Sequence, residues 1–272
     1  MPLTTVVTDA PPQGRSSFDR ARAEASNAQV PVLAEESPVN LRTGRILSGT
    51  GFDNDAGEAD PVLTAALSDE RDEVALVAAV ASARLLVPVL AAPAGGDPDA
   101  PTESRSADMA TVTLTSPDGQ RALPVFTSVA ALLAWDPSAR PSPVTCARAA
   151  QAAVAERCDV LLVDVGSEHA RVLRPSMVWA LAQQREWLPA HADPFVAQAL
   201  SRATADETDV IGCFLEEGEP PGAGILRVEL SLRPGLEPAQ VRALATRVGE
   251  QIATDGEARA RIDGITFAIR RS

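Results

Sequence analysis

The stretch Cys146-Ala147-Arg148-Ala149-Ala150-Gln151-Ala152-Ala153-Val154-Ala155-Glu156-Arg157 runs through Cys158-Asp159 straight into Val160-Leu161-Leu162-Val163-Asp164. Its first part is alanine-rich, free of Gly and Pro, and long enough for three helical turns. Its second part is an unbroken apolar run between two aspartates, too short for a helix, which predicts a strand buried on both faces. A helix feeding such a strand is the repeating step of an α/β domain, so the expected architecture is a mixed sheet with helices.

Reading upstream, the strand alternation Met109-Ala110-Thr111-Val112-Thr113-Leu114 puts apolar residues on one face and threonines, with Met109, on the other. Ser116-Pro117-Asp118-Gly119 has the composition of a type I turn, and Arg121–Phe126 is the return strand of a hairpin. Thr127 or Ser128 caps a short helix, Val129–Trp135, which the Pro141 region ends. Val74 to Ala92 is apolar for nearly the length of a membrane span, but Arg84 and Pro88 interrupt it. It reads as a helix and then a strand joined near Ser82, with Pro88 at an edge or bulge. Asp60 and Pro61 supply the N-cap and first residue of a further helix.

Reading downstream, helices near Pro175–Gln184 and Asp193–Arg202 are expected to cover this sheet. Then Val210–Leu215 reads as a strand, and Leu226, Val228, Leu230 and Leu232 alternate with polar residues in a second. Pro238 opens a helix whose Val241, Leu244, Ala245, Val248 and Ile252 follow a 3.6 period, and Ile265, Phe267 and Ile269 alternate in a last strand. The expected organisation is a disordered tail over 1–47, an α/β domain over 48–204, and a small β-β-α-β domain over 205–272. The class is α/β (α+β).

Composition narrows the function. The net charge is −13, and all 24 basic residues are Arg because the chain has no Lys. Such an acidic balance argues against nucleic acid and against an anionic membrane surface. Three cysteines, Cys146, Cys158 and Cys213, form no CxxC pair, so neither a disulfide framework nor a zinc site is expected. The run from Asp53 to Glu58 resembles a calcium loop only superficially, since Gly57 comes one residue early and Thr64 stands where the bidentate Glu belongs. No apolar leader is visible near Met1, which makes the cytoplasm the expected location.

Several ordered segments resemble the SseB family, the enhanced serine sensitivity proteins, in its actinobacterial form: Gly51-Phe52-Asp53, Ala83-Arg84-Leu85-Leu86-Val87-Pro88-Val89, Ser106-Ala107-Asp108-Met109-Ala110 and Ala122-Leu123-Pro124-Val125-Phe126-Thr127-Ser128. Trp135-Asp136-Pro137 and Ala139-Arg140-Pro141 fit the same pattern, and the part after Asp209 is similar to the family's weaker C-terminal domain. The family often has Lys before the Ser-Ala-Asp-Met block, where this chain has Arg105. The resemblance implies a small cytoplasmic α/β domain with no established reaction or cofactor.

The candidate residues fall into two groups. Arg84, Arg105, Asp108 and Met109, with Phe126, Thr127 and Ser128, mark a surface where a protein or peptide could lodge on the sheet edge and the Met109 face. The start of the Val129 helix could also present backbone N–H groups to an anion. The alternative is a ligand site or active site in the loops after Val160–Val163, using Asp164 and His169. No GxSxG, phosphate loop, metal spacing or cofactor motif is present. The expected function is a non-catalytic interaction module without cofactor, binding a protein or peptide and open to homo-oligomerisation through an edge strand.

Overall fold

The structure, a computed structural model, describes residues 52, 55–69, 71–91, 109–117 and 119–271. The expected tail, the segment Pro93–Ser106 with Arg105, and Asp53, Asn54 and Asp108 lie outside the described residues, as does the side chain of Met109. The chain divides into two compact units, with the break between Leu173 and Arg174.

The first unit contains α1 (Pro61–Ser68), α2 (Glu73–Ser82), β1 (Arg84–Ala91), β2 (Met109–Thr111), β3 (Leu114–Thr115), β4 (Arg121–Val125), α3 (Val129–Trp135), β5 (Arg140–Thr145), α4 (Cys146–Ala155), β6 (Val160–Val163) and β7 (Arg171–Leu173). Asp60 caps α1 by accepting from Val62 N (2.8 Å) and Leu63 N (3.1 Å), with Pro61 in the first turn. The apolar run from Val74 does break after Ser82 into helix and strand. Among the described residues no helix is long and apolar enough to cross a membrane.

Two sheets form, β2-β1-β5 and β3-β4-β6-β7. Leu86 and Phe126 join them, exchanging both backbone hydrogen bonds at 2.8 Å. β4 and β6 are parallel, and all four residues of β6 are buried, as its continuous apolar run requires. The turn closes with Gly119 N donating to Ser116 O at 2.9 Å. The single strand expected over 109–114 instead changes partner: β2 pairs with β1 and β3 with β4, with buried Val112 between them.

β5 was not expected, because Pro141 and Pro143 speak against a strand. The register explains it. The groups of Leu86 point towards Phe126, so in the antiparallel alternation Leu85, Val87 and Val89 bond across to Val144, Ser142 and Arg140. Pro141 and Pro143 then fall opposite Pro88 and Leu86, where β1 asks for no donor. Pro88 is therefore tolerated inside a strand flanked on both sides.

The second unit contains α5 (Pro175–Ala182), α6 (Pro194–Thr204), β8 (Val210–Glu217), β9 (Ile225–Leu232), α7 (Pro238–Thr254), α8 (Gly256–Arg261) and β10 (Gly264–Arg271). Its sheet runs β10-β9-β8, with β9 parallel to β10 and antiparallel to β8. Leu226, Val228, Leu230 and Leu232 meet Leu244, Val248 and Ile252 of α7 and Val196 and Leu200 of α6 in one core. This is the expected β-β-α-β pattern with α8 added. It also takes in α5 and α6, expected to cover the first sheet. An amphipathic helix such as α6 announces an apolar face but not which sheet will receive it, and here Val196, Ala199, Leu200 and Ala203 enter the β9 core.

Candidate functional site

The residues that follow two parallel strands must end up side by side. Val125 of β4 and Val163 of β6 are register partners, so the segment Phe126-Thr127-Ser128 and the residue Asp164 meet at the same end of the sheet. The Thr127 backbone N–H donates to Asp164 Oδ1 at 2.8 Å and its hydroxyl to Oδ2 at 2.7 Å. Thr127's carbonyl accepts from Arg84 Nη1 at 2.8 Å. Arg84 Nη2 donates to Asp55 Oδ1 at 2.8 Å and to the Glu58 carbonyl at 2.7 Å, while its Nε faces the other Asp55 oxygen. Four elements are thus tied together by the chain Asp55–Arg84–Thr127–Asp164.

Phe126 is fully buried with its ring centroid 5.3 Å from that of Trp135. Ser128 caps α3, its Oγ accepting from Ala131 N at 3.1 Å. Val129 N donates to the Gly57 carbonyl at 2.8 Å. Gly57 has φ +79°, and a Cβ there would stand 2.6 Å from Val129 Cγ2, so the close approach of this loop to α3 needs glycine.

Asp164 is only 6% exposed and holds a left-handed backbone, φ 48°. Burial pushes its carboxyl above the ordinary carboxylate value, and the two Thr127 donors and the nearby His169 offset only part of that. Asp55 moves the other way: despite partial desolvation, the Gly57 N–H and the Arg84 guanidinium hold it below its usual value. Both Asp164 oxygens are occupied by Thr127, which leaves the carboxylate placed as a structural anchor. The Thr127 and Val129 N–H groups, expected to be open to an anion, are already engaged.

His169 is half-exposed in the loop after β6, its Nε2 3.5 Å from Glu168 Oε1 and its backbone N–H bonded to Ser167 Oγ at 3.2 Å. The thiols are free, and burial raises Cys146 to about 12 and Cys158 and Cys213 to about 11. Among the described residues no cluster of three or more His, Cys, Asp and Glu side chains could hold a metal. Arg84, Phe126, Thr127, Ser128 and Asp164, taken from two separate expectations, therefore converge on one corner. Met109 contributes a backbone partner for Ala91, and Arg105 and Asp108 lie outside the described residues.

Three charge centres in the second unit carry no local sequence signal. Asp263 accepts from Arg174 Nε (3.0 Å), Ser176 N (2.7 Å) and Ser176 Oγ (2.8 Å), and Trp187 Nε1 donates to Ser176 Oγ at 3.0 Å. Arg261 Nη1 donates to Asp193 Oδ2 at 2.9 Å and lies over the Trp179 and Phe195 rings. Glu229, on the outer face of β9, is buried beneath Arg270, whose Nε is 2.6 Å from its Oε1.

The sheet edges differ in what they offer a partner. β5 turns Pro141 and Pro143, which lack N–H groups, towards its open side. β8 breaks its register between Val210 and Gly212. β10 is eight residues long, has no proline and no register break, and among the described residues pairs only with β9. Arg270 is drawn away from that edge, reaching across β9 to Glu229 and to the Phe214 ring, 5.6 Å from its centroid.

Residues 60–180 match the family model described as the SseB protein N-terminal domain. No curated protein and no solved structure matches the chain.

Proposed function

We propose that this chain, whose residues 60–180 match the SseB protein N-terminal domain and support its place in the SseB family, acts as a non-catalytic interaction module, receiving an extended segment of a protein partner along β10. The observation that carries this reading is the eight-residue edge of β10, which among the described residues pairs only with β9, set against the proline-blocked β5 and the irregular β8. A strand added there gains main-chain hydrogen bonds for affinity and places alternate side chains on the two faces of the sheet. On one face it meets Ile265, 36% exposed at the open end of the apolar row, and on the other Thr266, also exposed. Supporting the non-catalytic half, the thiols are held protonated by burial and Asp164 is spent on Thr127.

The absence of Lys makes the test clean. Thr266→Lys introduces the chain's single lysine at the β10 edge, and Arg242→Lys introduces it on exposed helix surface as a control. An amine-reactive cross-linker applied in cells is expected to give a defined adduct through residue 266, absent from the control and lost when Ile265→Glu is added. Identical adducts at both positions, or none at 266, would refute the edge reading.

A further inference from the structure

We infer that the strand received by β10 is β10 of a second copy of this chain, paired antiparallel about a twofold axis; the inference rests on the edge reading above. The sequence of the strand, Gly264-Ile265-Thr266-Phe267-Ala268-Ile269-Arg270-Arg271, is self-complementary in that direction. With Phe267 on the axis, Ile265 lies opposite Ile269 of the other copy and Thr266 opposite Ala268, so residues of one face meet residues of the same face. The exposed Ile265 gains an apolar neighbour on the helix-covered side.

The charges select the same orientation. Arg270 sits near one end of the strand, and antiparallel pairing sends the arginines of the two copies apart by roughly 20 Å, six residues at ~3.3 Å each. Parallel pairing would stack them. Like charges directly opposite one another destabilise a strand pair, so the parallel alternative is disfavoured. Arg270 is moreover committed to Glu229 of its own sheet, which leaves Gly264–Ile269 as an uncharged edge. The product is a six-stranded sheet, β8-β9-β10-β10-β9-β8, of the size that sheets commonly reach.

Area sets the strength. An edge about 25 Å long and a sheet-plus-helix layer about 20 Å deep give on the order of 500 Å² per copy. That lies below the ~800 Å² per partner of a stable complex, so the dimer forms and dissociates with concentration.

Sedimentation of the full chain over a wide concentration range is expected to show reversible growth from monomer to dimer mass, with β10 amides exchanging more slowly as concentration rises. Ile265→Glu, which alters a residue already partly in solvent, should weaken association roughly tenfold or more while leaving the monomer folded by circular dichroism. With Thr266→Lys, residues 266 of the two copies fall roughly 8 Å apart in this register, and the adduct should be a self-dimer joined through that position. A monomer at every concentration together with a heterologous adduct at residue 266 overturns the second copy and leaves the edge reading standing. A monomer with no adduct overturns both. A dimer indifferent to Ile265→Glu, with unchanged β10 exchange, overturns the register proposed.

Discussion

Replacing Asp164 tests the corner at which four elements meet. Asp164→Ala removes the acceptor of two buried donors, the Thr127 amide and hydroxyl, at 2.8 and 2.7 Å. Each orphaned donor costs about 1–3 kcal/mol, and alanine in a left-handed backbone costs roughly 1 kcal/mol more. Relief of a desolvated carboxylate offsets part of this, so the expected loss is about 2–4 kcal/mol. Asp164→Asn behaves differently. Asparagine tolerates φ 48°, keeps an acceptor for the Thr127 amide, and lets the Thr127 hydroxyl rotate to accept from its own NH2, so the expected loss is under about 1 kcal/mol at neutral pH.

The pH dependence has a definite sign. Burial raises the folded carboxyl of Asp164 above its unfolded value, so its stabilisation is complete below the unfolded value and is lost as pH rises through the folded one. Wild type should therefore gain on Asp164→Asn when acidified from neutrality through the carboxylate range. Urea unfolding measures the totals, and hydrogen exchange at the Thr127 amide reports the corner alone, which matters in a chain of two units. A loss below about 1 kcal/mol for Asp164→Ala with unchanged Thr127 protection would show that the anchor is not there.

Three further outcomes are expected. The thiols of native protein should react slowly with an alkylating reagent at pH 8, since a group at about 11 is thiolate only about one part in a thousand there, and all three should react rapidly in urea. Asp193→Ala, which strips a nine-tenths-buried Arg261 of its closest carboxylate and α6 of its cap, should cost about 3–5 kcal/mol in unfolding experiments, with Glu257 at 3.3 Å limiting the loss. A chain ended after Ala182 should bind a hydrophobic dye more strongly than one ended after Leu173, because it keeps the apolar α5 but lacks the α8 and Asp263 that hold it.

The legible parts of this fold are those whose signal is local. β6 is recognisable because four apolar residues between aspartates suit a strand buried on both faces, and α7 because its period matches its turn. β5 was hidden because its prolines are acceptable only in one register with β1, and register is not a local property. The same holds for α6: its amphipathic face is plain, but the sheet that receives it lies beyond the next connection. The candidate corner was half legible. Arg84, Thr127 and Asp164 each flank an apolar run, which the sequence displays, but their contacts depend on sheet order, and no local pattern links Asp55 to Arg84, 29 residues later.

What unites Arg84, Thr127 and Asp164 is a rule of sheet geometry that the chain order conceals. Parallel strands deliver their following residues to one end, the end at which ligands of α/β proteins commonly sit. In this chain that end is closed by its own groups: an arginine on the Thr127 carbonyl, a carboxylate on the Thr127 amide and hydroxyl, a cap on α3. A ligand arriving there would have to displace hydrogen bonds already made in a buried setting, and would recover little by replacing them. On the edge reading, a strand added at β10 bonds to backbone groups that β9 does not use, and among the described residues no other strand pairs with them. The balance between these two costs, more than the lack of any motif, favours a β-sheet edge over the strand ends as the place where a proposed partner adds.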